Sequence, residues 1–357
     1  MKTLSAKPRV VCLVDSHGPM LPTACAYIRL ILPLTAPYVS GLFDVRFARP
    51  DAIAIHRPDI VIAQRLQANS DTEIDKLLET CRRANARLVY EIDDDLQHID
   101  RDHPEFDFYQ WAGQGVRRLA SVADEVWVST ENLAIAFRSL NANVVVLQNT
   151  LDPRLWKQVE AAKAVSTPRI VYMGSTTHSN DYSTVFLPAI ERLRREAKDR
   201  IDVSLIGVMD RTSVQQQSRV VAIPHGVGAS YPSFVSWLQS LERFDIGVAP
   251  LVNTPFNTSK SHIKWLEYGG MGAVTVASAV GEYAASIIHR KTGLIAGPTA
   301  ADFYETLREV VFDSDLRESL ALGVSSHIRE HLEDVRRDTR RAGRLAGLVG
   351  SATLQRA

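Results

Sequence analysis

Three consecutive carboxylates, Asp93, Asp94 and Asp95, close the apolar run "RLVYEI", and such a cluster admits three kinds of chemistry. Mutual repulsion raises a carboxyl pKa and prepares a general base, clustered oxygens attract a hard cation, or one aspartate caps the next segment while the others stay solvated. In an extended strand end Asp93 and Asp95 would point one way and Asp94 the other. A second constellation lies in "SKSHIKWLEYGG". A helix capped by Ser259 would bring Lys260, Lys264 and Glu267 onto one narrow face, with Ile263, Leu266 and Gly270 on an apolar stripe beside it. Free N–H groups at a helix start, with a lysine near, seat a phosphate, and a carboxylate further in accepts hydrogen bonds from a ribose diol. The same three residues also read as an ordinary solvated charge set.

Other polar loops follow apolar runs. "GSTTHSND" is a small-residue turn in which the backbone of Gly174 and Ser175 can cradle an anion beside His178, a residue that also suits a helix start. It contains neither GxGxxG nor GKS/GKT, so neither the dinucleotide fingerprint nor a P-loop is supported. "DSHGPM" offers His17 and Gly18, "DDDLQH" offers His98, and Arg29 and Arg65 follow the first and third apolar runs. Each arginine suits an anionic ligand or an internal carboxylate partner.

These loops must be held by strands, because ligands of open parallel sheets bind beyond the carboxyl ends of the strands. The strand-like runs are "RVVCLVD", "FDVRF", "DIVIAQ", "RLVYEI", "EVWVS" and "NVVVLQN", then "RIVYMG", "DVSLIG", "DIGVAP" and "AVTVAS", with a short apolar "RVVAIP" between the second and third of the latter set. Helical patterns alternate with them, which predicts an α/β chain with two Rossmann-like, doubly wound domains. A polar, alanine-rich stretch ending at Pro168 marks the join. The expected division is 1–155, a linker 156–168, 169–335, and a helical tail 336–357 whose arginines form a solvated face. No internal repeat stands out.

At 357 residues the chain exceeds one ordinary core. Its 41 basic residues balance 41 acidic ones, so no global field draws it to nucleic acid, and any anion must be held locally. The three cysteines show no zinc spacing and read as reduced thiols. No apolar run has the length of a membrane span, which leaves a cytoplasmic protein with at most peripheral contact at the inner membrane face.

The ordered set "ACAYIRLILPL", "DIVIAQR", "YEIDDDL", "DEVWVSTENLA", "VVLQNTLDPRLW", "YMGSTTHSND", "FDIGVAPL", "KSHIKWLEYGGMGAVTVAS" and "KTGLIAG" resembles the GT-B glycosyltransferases, especially the retaining, family-4-like "group 1" bacterial members. The resemblance covers nearly the whole chain. It implies two Rossmann-like domains facing a central cleft, a C-terminal domain for a nucleotide-diphosphate sugar and an N-terminal domain for the acceptor. Glu267 matches the second glutamate of the family's E-x7-E motif, which holds the donor ribose. Ser259 stands where the first would be, a departure from the pattern.

Donor binding is thus expected from Gly174, Ser175, His178, Ser259, Lys260, Lys264 and Glu267, and acceptor binding from His17, Gly18, Arg29, Arg65, Asp94 and His98. The family's diphosphate-binding Arg and Lys are not evident, so Lys260, with Lys264 and His178, must supply that charge. Lys260 would stabilise the leaving nucleoside diphosphate. Retention needs no protein base; inversion would call on Asp93 to Asp95, His17 or His98, with Asp93 and Asp95 the expected pair. The resemblance implies no cofactor and no catalytic metal, a nucleotide-sugar donor, and a glycan, lipid-linked or other small acceptor. A sugar-nucleotide epimerase and a catalytically silent nucleotide-sugar-binding module are the alternatives on the same fold.

Overall fold

A computed structural model describes residues 7–18, 21–101, 103, 105–161, 163–207 and 218–350. The chain divides into two compact units: one takes in the chain up to Arg101, Glu105–Asp152 and the chain from Arg336 on, the other Pro153–Val335 and the short stretch before Glu105.

In the first unit six parallel strands lie in the order β2-β1-β3-β4-β5-β6: β1 is Arg9–Leu13, β2 Asp44–Phe47, β3 Ile60–Gln64, β4 Arg87–Ile92, β5 Glu125–Val128 and β6 Val144–Val146. β3 is buried along its whole length, as a strand covered by helices on both faces must be. The order reverses between β1 and β3, which makes a topological switch point there. Val10, Leu30, Leu34, Phe43, Ile62 and Trp127 form a core that also takes in Ala342 and Leu345 of the helix Arg340–Val349. The arginine-rich end of the chain is therefore not wholly a solvated face. Arg341 is buried and Arg344 pairs with buried Glu125.

The second unit repeats the plan in the order β12-β11-β10-β7-β8-β9, with β7 Arg169–Met173, β8 Asp202–Ile206, β9 Arg219–Val220, β10 Ile246–Ala249, β11 Val274–Ser278 and β12 Leu294–Ala296. Its switch point lies between β7 and β10. Gly247 of β10 is required by packing, because a Cβ there would stand 2.3 Å from the Tyr268 ring. The Tyr268 hydroxyl in turn accepts from the Met173 amide and donates to the Val248 carbonyl, tying β7 to β10 where they deliver their loops.

Each unit carries the same local feature. The helix after each first strand contains one wide π turn, Tyr27–Ile31 in the first and Tyr182–Phe186 in the second, and each is followed by a Leu-Pro pair, Leu32-Pro33 and Leu187-Pro188. Proline cannot donate to the preceding turn and crowds it, and the extra residue of a π turn shifts the ladder at that place.

Candidate functional site

In the second unit the expected donor residues gather beyond β7 and β10. β7 runs into Gly174 and Ser175 and then a tight turn, Thr176–His178, which brings His178 Nδ1 to 2.8 Å from an oxygen of Asp181. Asp181 is buried, and its other oxygen accepts from the Val252 amide at 2.8 Å and from Asn257 Nδ2 at 2.9 Å. One carboxylate thus clamps the loop after β10 onto the turn after β7. Asp181 closes the stretch "HSND" but was not among the expected site residues. Its role rests on partners 71 and 76 residues away, which local spacing does not reveal.

The helix expected to begin at Lys260 with Ser259 as N-cap begins later, at Ile263, and runs to Gly270 behind His262. Thr254 caps an earlier short helix, Pro255–Thr258, by accepting from the Asn257 amide, with Pro255 at its first position; Ser259 is the carboxyl cap of that turn. Thr254 caps and Pro255 opens a helical turn that ends at Ser259, so Ser259 is spent as a carboxyl cap and the segment breaks into two pieces. Lys260 therefore lies on the connection with its ammonium 4.3 Å above the Phe256 ring centre, while Lys264 and Glu267 share the later helix.

The pieces still converge electrostatically. Burial, then the charge of Lys260, lower Lys264 to about 8, against the pull of Asp181 and Glu267. Burial raises Glu267 to about 7, opposed by the Tyr231 hydroxyl, which donates to it at 2.9 Å, and by Lys264. Trp156 Nε1 donates to the same tyrosine oxygen at 3.3 Å and so orients it. His178 is driven down to about 3 by burial and by Lys264, which outweigh Asp181. It is a neutral imidazole at ordinary pH. The expectation that it helps neutralise a diphosphate is corrected: with Nδ1–H donated to Asp181, Nε2 is left as an acceptor. Two lysines, a neutral histidine and one carboxylate near its pKa together suit an anion flanked by hydroxyls.

A cavity of about 810 Å³ in this unit lies elsewhere, at the amino ends of β10 and β11, lined by Gln239, Arg243, Phe244, Gly270 and Met271 among others. It holds none of the expected site residues.

In the first unit, Arg65 follows β3 in a left-handed conformation (φ 49°), held by its amide on the Glu91 carbonyl and by Tyr90 Oη donating to its own carbonyl. From there its guanidinium reaches Asp93 at 2.5 Å, Asp94 at 3.0 Å and Asp15 at 3.5 Å. Burial disfavours the Arg65 charge, but these carboxylates more than offset it and hold its pKa above the ordinary value. Asp95 pairs with His98 at 2.8 Å.

The expected disposition of the three aspartates is overturned. β4 ends at Ile92 and the chain then turns, with Leu96 N bonded to the Asp94 carbonyl and His98 N to that of Asp95, so strand alternation no longer applies. The Asp93 and Asp95 side chains are 8% and 4% exposed, whereas that of Asp94 is 25% exposed. Asp94, with exposed His98, is the more open of the acidic groups.

Arg29 is corrected as well. Only 1% exposed, it donates to Glu91 at 2.6 Å, to Asn149 Oδ1 at 2.9 Å and to the Leu147 carbonyl, while Gln64 donates to the other Glu91 oxygen at 2.7 Å. It is the internal ion pair of the core and reaches no acceptor. His17 and Gly18 are exposed beyond β1, with the His17 amide bonded to the Leu21 carbonyl. Among the described residues no group of three or more His, Cys, Asp or Glu side chains is arranged to hold a metal ion, and no helix is long and apolar enough to cross a membrane.

Residues 167–313 match the family model of the glycosyl transferases group 1. Similar solved structures include HepE from Anabaena in complex with UDP and glucose, at TM-score 0.63 and 12% identity over 95% of this chain and 100% of that one. A glycosyltransferase from Rickettsia africae has TM-score 0.63 and 12% identity, over 96% and 99% of the two chains. Sucrose-phosphate synthase from Thermosynechococcus elongatus has TM-score 0.63 and 11% identity, over 96% and 100%. At such identities the likeness is one of fold, and the fold is GT-B. No curated protein matches the sequence.

Proposed function

We infer that this chain, a GT-B glycosyltransferase whose group 1 domain spans residues 167–313, moves a sugar from a nucleotide-diphosphate donor to a glycan or glycolipid acceptor, with retention and without a catalytic metal. The observation that carries the donor half is the convergence of Lys260, Lys264 and Glu267 beyond the strands at which the sheet order reverses. HepE, a similar fold, holds UDP and glucose, which agrees with a nucleotide-sugar donor here.

Breaking the bond between the anomeric carbon and the phosphate oxygen leaves a nucleoside diphosphate with an added negative charge. Lys264, partly desolvated and repelled by Lys260, is relieved by a dianion placed between the two ammonium groups, while the Gly174 amide is engaged by the Ile206 carbonyl and is not available to join them. Ionised Glu267, steadied by Tyr231, accepts the ribose hydroxyls. With retention the departing phosphate takes the acceptor proton as the acceptor oxygen attacks on the same face. That route asks no base of Asp93 or Asp95, which agrees with their burial against Arg65 and His98.

Calorimetric titration with UDP, GDP and ADP, followed by a transfer assay with the matching sugar nucleotides, tests the reading. Binding of at least one diphosphate is expected, weakened at least tenfold (about 1.4 kcal/mol) by Lys264→Met or Glu267→Ala. A donor converted to its epimer without any acceptor identifies the epimerase instead, and binding without turnover identifies a silent module. Unchanged affinity in both variants rejects the donor site.

A further inference from the structure

The wall of carboxylates in the first unit continues into a patch of exposed aromatic rings. The helix Phe106–Val122 follows the aspartate turn, and near its start Phe108 and Trp111 are 46% and 55% exposed. Three positions apart, they share one face of the helix. The Phe108 ring lies 6.0 Å from that of Trp111 and 5.3 Å from that of Tyr109, so the three form one cluster. Tyr109 joins the cluster to the acidic wall, since its side chain hydrogen-bonds to Arg65 and senses Asp94. Large aromatic side chains left open together are uncommon on a soluble surface and mark a place where something docks.

The charge around the patch selects its occupant. From Asp93 to Trp111 the chain carries seven carboxylates against one arginine, Arg101. Glu105 and Asp107, both exposed, precede Phe108 by three positions and by one. Arg65 is already shared by Asp15, Asp93 and Asp94, and Arg29 is consumed by Glu91. An anionic lipid surface or a phosphorylated glycan would meet the exposed carboxylates of Glu105 and Asp107 beside the rings. An uncharged pyranose chain fits, because each ring offers an apolar face of C–H groups to an aromatic π face and a rim of hydroxyls to carboxylates.

We propose that Phe108, Tyr109 and Trp111 form a stacking platform for the acceptor, and that the acceptor is a neutral glycan chain whose hydroxyl rim is held by Asp94. This rests on the transferase reading above and narrows it, setting aside the anionic acceptor first expected from Arg29 and Arg65. The platform is a binding surface, separate from the residues that act on the donor.

The test uses the full chain and neutral hexasaccharides of maltose, cellulose, xylan and chitin type, with hexagalacturonate as the charged counterpart and vesicles of phosphatidylglycerol as the lipid probe. At least one neutral hexasaccharide is expected to bind and to quench the fluorescence of exposed Trp111, while hexagalacturonate and the vesicles do not bind. Trp111→Ala and Phe108→Ala each weaken that binding about fivefold or more, with UDP affinity unchanged. Trp111→Phe restores most of it, which a merely structural loss would not allow. The proposal fails if no neutral sugar binds, if the alanine variants bind as the parent does, or if the vesicles bind and lose their grip in those variants. Loss of UDP binding by the parent itself would strike the donor reading and leave the platform standing.

Discussion

Glu267 and Lys264 are poised at opposite edges of the same narrow pH range. Glu267, raised to about 7, is anionic only above that value, and Lys264, lowered to about 8, is cationic only below its own. Nucleotide diphosphate affinity should therefore peak between pH 7 and 8 and fall on either side, which titrations from pH 5.5 to 9.5 would show. A flat profile would mean that neither group meets the ligand. The same burial that readies Glu267 strains the fold. Because its folded pKa lies above that of a free carboxyl, its contribution to stability is fully present below about 4.5 and is lost as pH rises through about 7. Glu267→Gln keeps the Tyr231 contact without the charge. It should be more stable than the parent at pH 8 by on the order of 1–3 kcal/mol, show no such gain at pH 5, and bind nucleotide poorly. Denaturant melts at both pH values settle the sign. None of this was legible in the spacing of Lys260, Lys264 and Glu267, which gives proximity along a helix but not burial.

The strands were legible because parallel sheets covered on both faces are written as short unbroken apolar runs. "DIVIAQ", "DIGVAP" and "AVTVAS" all became buried strands, and the short apolar "RVVAIP" contributes the two residues of β9. What failed was the start of the helix before Glu267. The signal for the true arrangement, Thr254 followed by Pro255 at the first helical position, was present in the sequence ahead of Ser259. Arg29 failed for another reason: its partner Glu91 lies 62 residues on, and only the sheet order brings them together. The terminal helix Arg340–Val349 teaches the same lesson. Its arginines suggested a solvated face, yet every few residues it presents Arg341, Ala342 and Leu345 to the first unit. Leu345 is fully buried in that core, so Leu345→Ala should cost about 2–5 kcal/mol, the range for emptying such a site. A loss under about 0.5 kcal/mol, the size of an ordinary surface change, would show that the helix is not docked in solution.

Two sheets with separate cores imply two cooperative units, even though the chain leaves the first after Asp152 and returns to it at Arg336. The proposed donor residues His178, Lys260, Lys264 and Glu267 all lie in the second unit, and a ligand stabilises only the folded unit that binds it. Scanning calorimetry should accordingly resolve two transitions. A nucleoside diphosphate at a hundred times its dissociation constant should stabilise one of them by about 2.7 kcal/mol and leave the other where it was. Leu345→Ala supplies the assignment, because it lowers the transition of the first unit, the one that nucleotide does not move. A single transition displaced as a whole by both perturbations would mean that the units unfold together, coupled more strongly than their separate cores require.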